Sequence, residues 1–274
     1  MKPWFVVALL AVAGFVGVAR AQFQFPYPGL KYSKGQDVSP TFDGWEANAD
    51  GTFTFYYGYY NRNTEEEIDV PVGEGNHFDR NADEGQPAHF YTGRRWFVFK
   101  VNVPADWPKD KRLVWTLTSN GRTDLAKGWL QPEWEVDKAL ITKNAVTDRM
   151  IGIWETSPPH ENKEPSITGG GAQTITFPAT ATLTATASDD GLPKPKGTGR
   201  GGRPQGLQIR WILYRGQSGV KFDPEVSPAV YGKPNRSETK VTFPAPGDYR
   251  LRAIACDGSL FSTYDVDVHV NAAQ

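Results

Sequence analysis

Apolar and polar residues alternate along most of this chain, and no long segment repeats apolar residues at helical spacing, so the pattern predicts strands. In the segment 52–60, Phe53, Phe55, Tyr57 and Tyr59 fall on one face, and Tyr56 and Tyr60 on the other. A second alternating run, 96–103, stops at Pro104. The run 113–118 leads into Asn120-Gly121 and a return strand toward Trp129, a hairpin whose turn needs two residues that tolerate positive φ. A further strand is predicted through Trp134 and Val136, leading to Ile151 and Trp154.

Beyond residue 157 the pattern lapses. Ser157-Pro158-Pro159-His160-Glu161-Asn162-Lys163-Glu164-Pro165 and Gly169-Gly170-Gly171 offer little to bury and read as a linker. Alternation then resumes in six runs: 174–177, 181–187, 207–214, 239–243, 249–256 and 264–270. The fold class is therefore all-β, two tandem antiparallel β-sandwich domains, with a first domain at 22–158, a linker at 159–171 and a second domain at 172–274.

The N-terminus follows different rules. Lys2, the apolar run 4–18 and the small-x-small triplet Ala19-Arg20-Ala21 spell a secretory signal peptide over 1–21, predicting a secreted or periplasmic protein. An anchor would need roughly twenty apolar residues, and no later segment comes close. Among 274 residues, 28 Gly and 21 Pro suit short strands joined by turns, and a net charge of −1 gives no field to recruit nucleic acid. The single cysteine, Cys256, excludes an internal disulfide and predicts a buried thiol, with pairing between chains as the alternative.

Trp211 stands where an immunoglobulin-type sandwich buries a tryptophan on its third strand, and Tyr249 where a tyrosine corner would lie. The segment 181–191 with its Ser188-Asp189-Asp190-Gly191 turn, Phe243-Pro244-Ala245-Pro246-Gly247-Asp248-Tyr249, and Cys256-Asp257-Gly258 together resemble the polycystic-kidney-disease (PKD) type of immunoglobulin-like domain. The resemblance covers about the last hundred residues. It departs from the usual pattern in the insertion 197–206, and it implies a spacer or a contact module for protein or carbohydrate. The first domain resembles exported proteins of environmental bacteria to which no activity attaches.

Four groups of residues are candidates for chemistry. Asp189, Asp190 and Asp257 leave strands that can end at one pole of a sandwich, and clustered carboxylates suit calcium; equally, Asp-Gly is ordinary turn chemistry. His77, Asp79, His89 and Glu65-Glu66-Glu67 contain zinc-ligand residue types without compact ligand spacing. Tyr56, Tyr60 and Trp107, with Phe90, Tyr91, Trp129 and Trp134, would bind sugar rings if displayed as a flat row, or pack as core if covered. The stretch 194–203 separates Arg and Lys by Gly, without aromatics to stack on bases, and reads as a solvated loop. Asn235-Arg236-Ser237 matches the N-glycosylation pattern.

No nucleophile elbow, zinc-protease pattern or phosphate loop is present. The sequence therefore favours a secreted non-catalytic binding or scaffold protein contacting carbohydrate or cell-surface protein, needing no cofactor beyond calcium at most. Two alternatives stay open: a carbohydrate-active enzyme with paired carboxylates in its first domain, and a surface or filament subunit that self-associates through strand edges.

Overall fold

The computed structural model describes residues 30–145, 148, 151–157, 159–196 and 205–273. The predicted signal peptide and most of the Gly-Arg stretch lie outside them. Residues 31–274 form one compact unit.

The first sandwich sets two three-stranded sheets face to face. One has the order β1-β2-β6, from β1 (Val38–Ala47), β2 (Phe53–Asn61) and β6 (Gly93–Val103). The other runs β4-β7-β8, from β4 (Asn76–Phe78), β7 (Leu113–Ser119) and β8 (Arg122–Gly128). A two-stranded ribbon joins β3 (Ile68–Asp69) to β5 (His89–Phe90). Phe55, Tyr57, Tyr59, Phe99, Leu113, Trp115 and Leu117 fill the space between the sheets, as the alternation requires. The hairpin from β7 to β8 turns at Asn120 and Gly121, with φ of 46° and 75°.

A bulge re-aims β6. Phe97 adopts φ 53°, rare for a bulky residue, and its amide donates to Asp43 Oδ2 at 2.8 Å. Thr41 Oγ1 at 2.8 Å and Arg94 Nη2 at 2.5 Å donate to the other oxygen of this buried carboxylate.

The strand expected through Trp134 and Val136 is replaced by a 3-10 turn, Pro132–Trp134, and a helix α1 (Lys138–Ala145). Asp137 caps α1 by accepting the Leu140 amide at 2.7 Å.

The second sandwich is immunoglobulin-like. One sheet has the order β13-β14-β11-β9, from β9 (Ser166–Gly169), β11 (Ala181–Ser188), β13 (Lys221–Asp223) and β14 (Asn235–Thr242). The other runs β10-β16-β15-β12, from β10 (Gln173–Thr176), β12 (Gln208–Arg215), β15 (Gly247–Cys256) and β16 (Phe261–Asn271). With β11, β12, β14, β15 and β16 as the second, third, fifth, sixth and seventh strands, this is the strand distribution of an immunoglobulin domain. All pairings are antiparallel except β10 with β16. Trp211 is fully buried and donates from Nε1 to Ser237 Oγ at 3.0 Å, and the Tyr249 hydroxyl reaches back to Ala245 O at 2.8 Å.

The stretch expected as a linker is structured. Ser166–Gly169 is β9, and the chain crosses to the opposite sheet at 170–172. Tyr264 lies against Gly169 so closely that a methyl group there would strike the ring. Asn162 is buried.

Candidate functional site

The polar chemistry of this chain collects at the seam between the sandwiches, because the outer face of β12, β15 and β16 carries the residues left over from the core pattern. On β15, Tyr249, Leu251 and Ala253 enter the second core, which sends Arg250, Arg252 and Ile254 to the other side. Arg252 is buried there, bonding Asp265 through Nε and Nη2 at 2.7 and 2.9 Å and Val98 O of the first sandwich through Nη1 at 2.9 Å. Its guanidinium lies 3.4 Å from the Tyr214 ring centroid. The Tyr214 hydroxyl donates to Gly85 O at 2.5 Å, the Ala88 amide to Tyr214 O at 3.0 Å, and the Leu213 amide to the Tyr91 hydroxyl at 2.9 Å. Arg215 grips Asp83 with two bonds of 2.7 Å.

Beside these contacts opens a cleft of about 410 Å³ whose polar lining includes Lys100, Glu164, Arg250, Ser262 and Asp265. Arg250 is held by Asp267 at 2.7 and 3.0 Å, and Lys100 stands 3.8 Å from Glu164.

The third feature of the seam is a histidine cluster. His89 on β5 is buried; its Nδ1 lies 2.7 Å from Asp69 Oδ1 and its Nε2 3.2 Å from Glu67 Oε2. Burial disfavours the imidazolium, but hydrogen bonds to the two carboxylates outweigh it and raise the His89 pKa. Asp69 Oδ2 accepts both the amide and the hydroxyl of Ser218 from the second sandwich, each at 2.7 Å. Serine, histidine and aspartate thus meet, but not as a nucleophile and its base. The hydroxyl is bound to the carboxylate and stands 3.4 Å from Nδ1, the nitrogen that Asp69 already occupies, while Nε2 faces Glu67.

Several residues singled out by sequence have other duties. His77 bonds Glu74 O, and Asp79 accepts the Val114 amide, so neither joins His89. The partner that sequence reasoning missed is Asp69, two residues from Glu67 on a strand of two residues. Tyr56 is buried against Phe97 and Val136, with its hydroxyl on Glu46 at 2.5 Å, and Trp107 is buried against Phe55 with Nε1 on Lys111 O at 3.0 Å. Tyr60 alone of these three is exposed. Ile254 lines the seam with Tyr59 and Tyr91.

The acidic turns do approach one another. Asp189 repels Asp257, and burial first, then that repulsion, push the Asp257 carboxyl up to about 6 against the pull of the Leu260 and Ser259 amides. Asp257 Oδ1 accepts those amides at 2.8 and 2.6 Å, and Asn162 donates to Oδ2 at 3.2 Å. Asp190 accepts the Lys163 and Leu192 amides at 3.1 and 3.0 Å. Among the described residues no three His, Cys, Asp or Glu side chains are grouped to hold a metal ion. Asn235 of the glycosylation pattern is buried, its amide bonded to Leu207 O and Pro228 O.

Neither a family model nor a curated protein matches the sequence. Solved structures similar to the chain include the PKD domain from human KIAA0319, at 18% identity and TM-score 0.24 over 42% of this chain and 88% of that one. A chimeric titin Z1Z2 matches at 17% and 0.27 over 41% and 98%, and domains 4 and 5 of the S-layer protein SbsC at 12% and 0.27 over 86% and 98%. The immunoglobulin-like assignment rests on strand order, Trp211 and Tyr249; the resemblance of the first domain to exported bacterial proteins finds no counterpart among these.

Proposed function

We propose that this chain is an exported, non-catalytic binding or scaffold module in which two β-sandwiches act as one rigid body and present the cleft at their seam to carbohydrate or to a surface protein. Export is supported by the ordered basic, apolar and small-residue pattern of residues 1–21. The observation that carries the non-catalytic reading is the wiring of Ser218, Asp69 and His89, in which the serine hydroxyl is bound to the carboxylate that joins the sandwiches rather than to a base. The binding surface is supported by the cleft's paired charges: Lys100, Glu164, Arg250 and Asp265 offer donors and acceptors within a space of about 410 Å³, which suits hydroxyl-rich ligands.

The test is a glycan array probed with the chain lacking residues 1–21, beside a Lys100→Ala/Arg250→Ala variant. Binding by the parent that the variant loses, with equal melting temperatures, supports the cleft. Release of reducing sugar ends from a polysaccharide by the parent overturns the non-catalytic reading.

A further inference from the structure

The arginine pairs that hold the seam keep their charge across the neutral range, whereas His89 at the seam is an imidazole whose charge depends on pH. His89 sits on β5 of the first sandwich, and Ser218 follows β12 of the second; Asp69 bonds both. His77 and His269 bond within their own sandwiches.

We propose that the Glu67–His89–Asp69–Ser218 chain is a pH-sensitive latch, closed while the imidazole carries two protons and released when it loses one. The reason lies in the two ring nitrogens. A cationic imidazole donates through both, so Nδ1 serves Asp69 and Nε2 serves Glu67 together. A neutral imidazole donates through one only, and the other then aims a lone pair at a carboxylate. At 2.7 and 3.2 Å, with the ring buried and the two carboxylates partly exposed, either arrangement sets a lone pair against a carboxylate. Of the other residues beside the ring only Lys221 is cationic, and among the described residues it forms no ion pair with Glu67 or Asp69. The Tyr91 ring meets His89 edge-on at 4.4 Å, and its hydroxyl already accepts the Leu213 amide. Lys221 and Glu225 line the adjoining cavity, but Glu225 is paired with Arg210. Loss of the proton therefore takes the donor from one of the two carboxylates, and a shift of Asp69 transmits to the Ser218 amide and hydroxyl it accepts.

The sign follows from the raised His89 pKa. The latch contributes fully below the ordinary imidazole value and is lost as pH rises through the folded one; acid releases it separately, once Asp69 takes up a proton.

The test is an NMR titration of the full folded chain between about pH 6 and about pH 9, following the His89 ring and the Ser218 amide, with melting temperatures over the same range for the parent, His89→Gln and Ser218→Ala. The expected result is a Ser218 amide shift that follows the His89 ionisation, and a melting advantage of the parent over His89→Gln that narrows as pH rises. By linkage, Ser218→Ala should move the His89 ionisation toward the ordinary imidazole range and reduce the parent's pH dependence to match. A Ser218 amide that ignores the His89 titration overturns the latch. So does a Ser218→Ala melting profile parallel to that of the parent, which keeps the proposal open to refutation if His89→Gln fails to fold.

Discussion

Trp211 shows how much a single side chain carries here. It is fully buried among Leu183, Leu213 and Leu251, and its indole nitrogen has a partner in Ser237. Truncation to alanine loses the packed ring, leaves a cavity and strips that hydroxyl of its donor, so Trp211→Ala should cost about 3 to 5 kcal/mol. A urea unfolding midpoint equal to that of the parent would refute the assignment. Asp257 works in the opposite direction. Its carboxyl is raised to about 6 by burial, so it favours the folded state when protonated, and that contribution fades as pH rises through about 6. The parent should therefore lose melting temperature between about pH 4 and about pH 6 through this group, and Asp257→Asn should remove that component.

Strand alternation made most elements legible in advance, and the exceptions have identifiable causes. β1 was invisible because Pro40, Asp43 and Gly44 interrupt its alternation; Pro40 is tolerated because β1 is an edge strand, and Asp43 because it anchors the bulge at Phe97. Helix α1 is only eight residues long and carries too few apolar residues for a 3.6-residue period. The supposed linker was misread because composition reports what a segment could bury, not whether the backbone pairs; β9 pairs with β11 through a sequence of Ser, Ile, Thr and Gly. Its final glycine is required by Tyr264, so Gly169→Ala must push the ring or the strand aside and should cost about 1 to 3 kcal/mol. Thermal melts of this variant should show a loss, whereas glycine in a free linker would accept alanine without one. The histidine cluster was half legible: Glu67 and His89 stood out as residue types, but Asp69 and Ser218 join them through tertiary contacts between segments 149 residues apart.

At the scale of the whole molecule, the bonds across the seam predict that the two sandwiches unfold together. Backbone bonds such as Ala88 N to Tyr214 O, the Thr142 hydroxyl bonded to Ser259 O at 2.9 Å, and the buried Arg252 would all be lost if the halves parted. Calorimetry of the folded chain should give a single transition. Replacing Arg252 with alanine leaves Asp265 and Val98 O without their shared donor, at a cost of about 3 to 5 kcal/mol, and should lower the midpoint or split the transition in two. An unchanged single transition would show that the guanidinium is dispensable to the joint.

Cys256 ends β15 at this same boundary, buried with Tyr56, Phe97, Val136 and Ile153, and burial raises its thiol pKa, which keeps it poor in thiolate. Because it is the chain's sole sulfhydryl, its capture by a maleimide or a disulfide reagent would count excursions in which the halves separate, without any engineered label. The labelling rate would then clock the opening of an otherwise silent equilibrium, one molecule at a time.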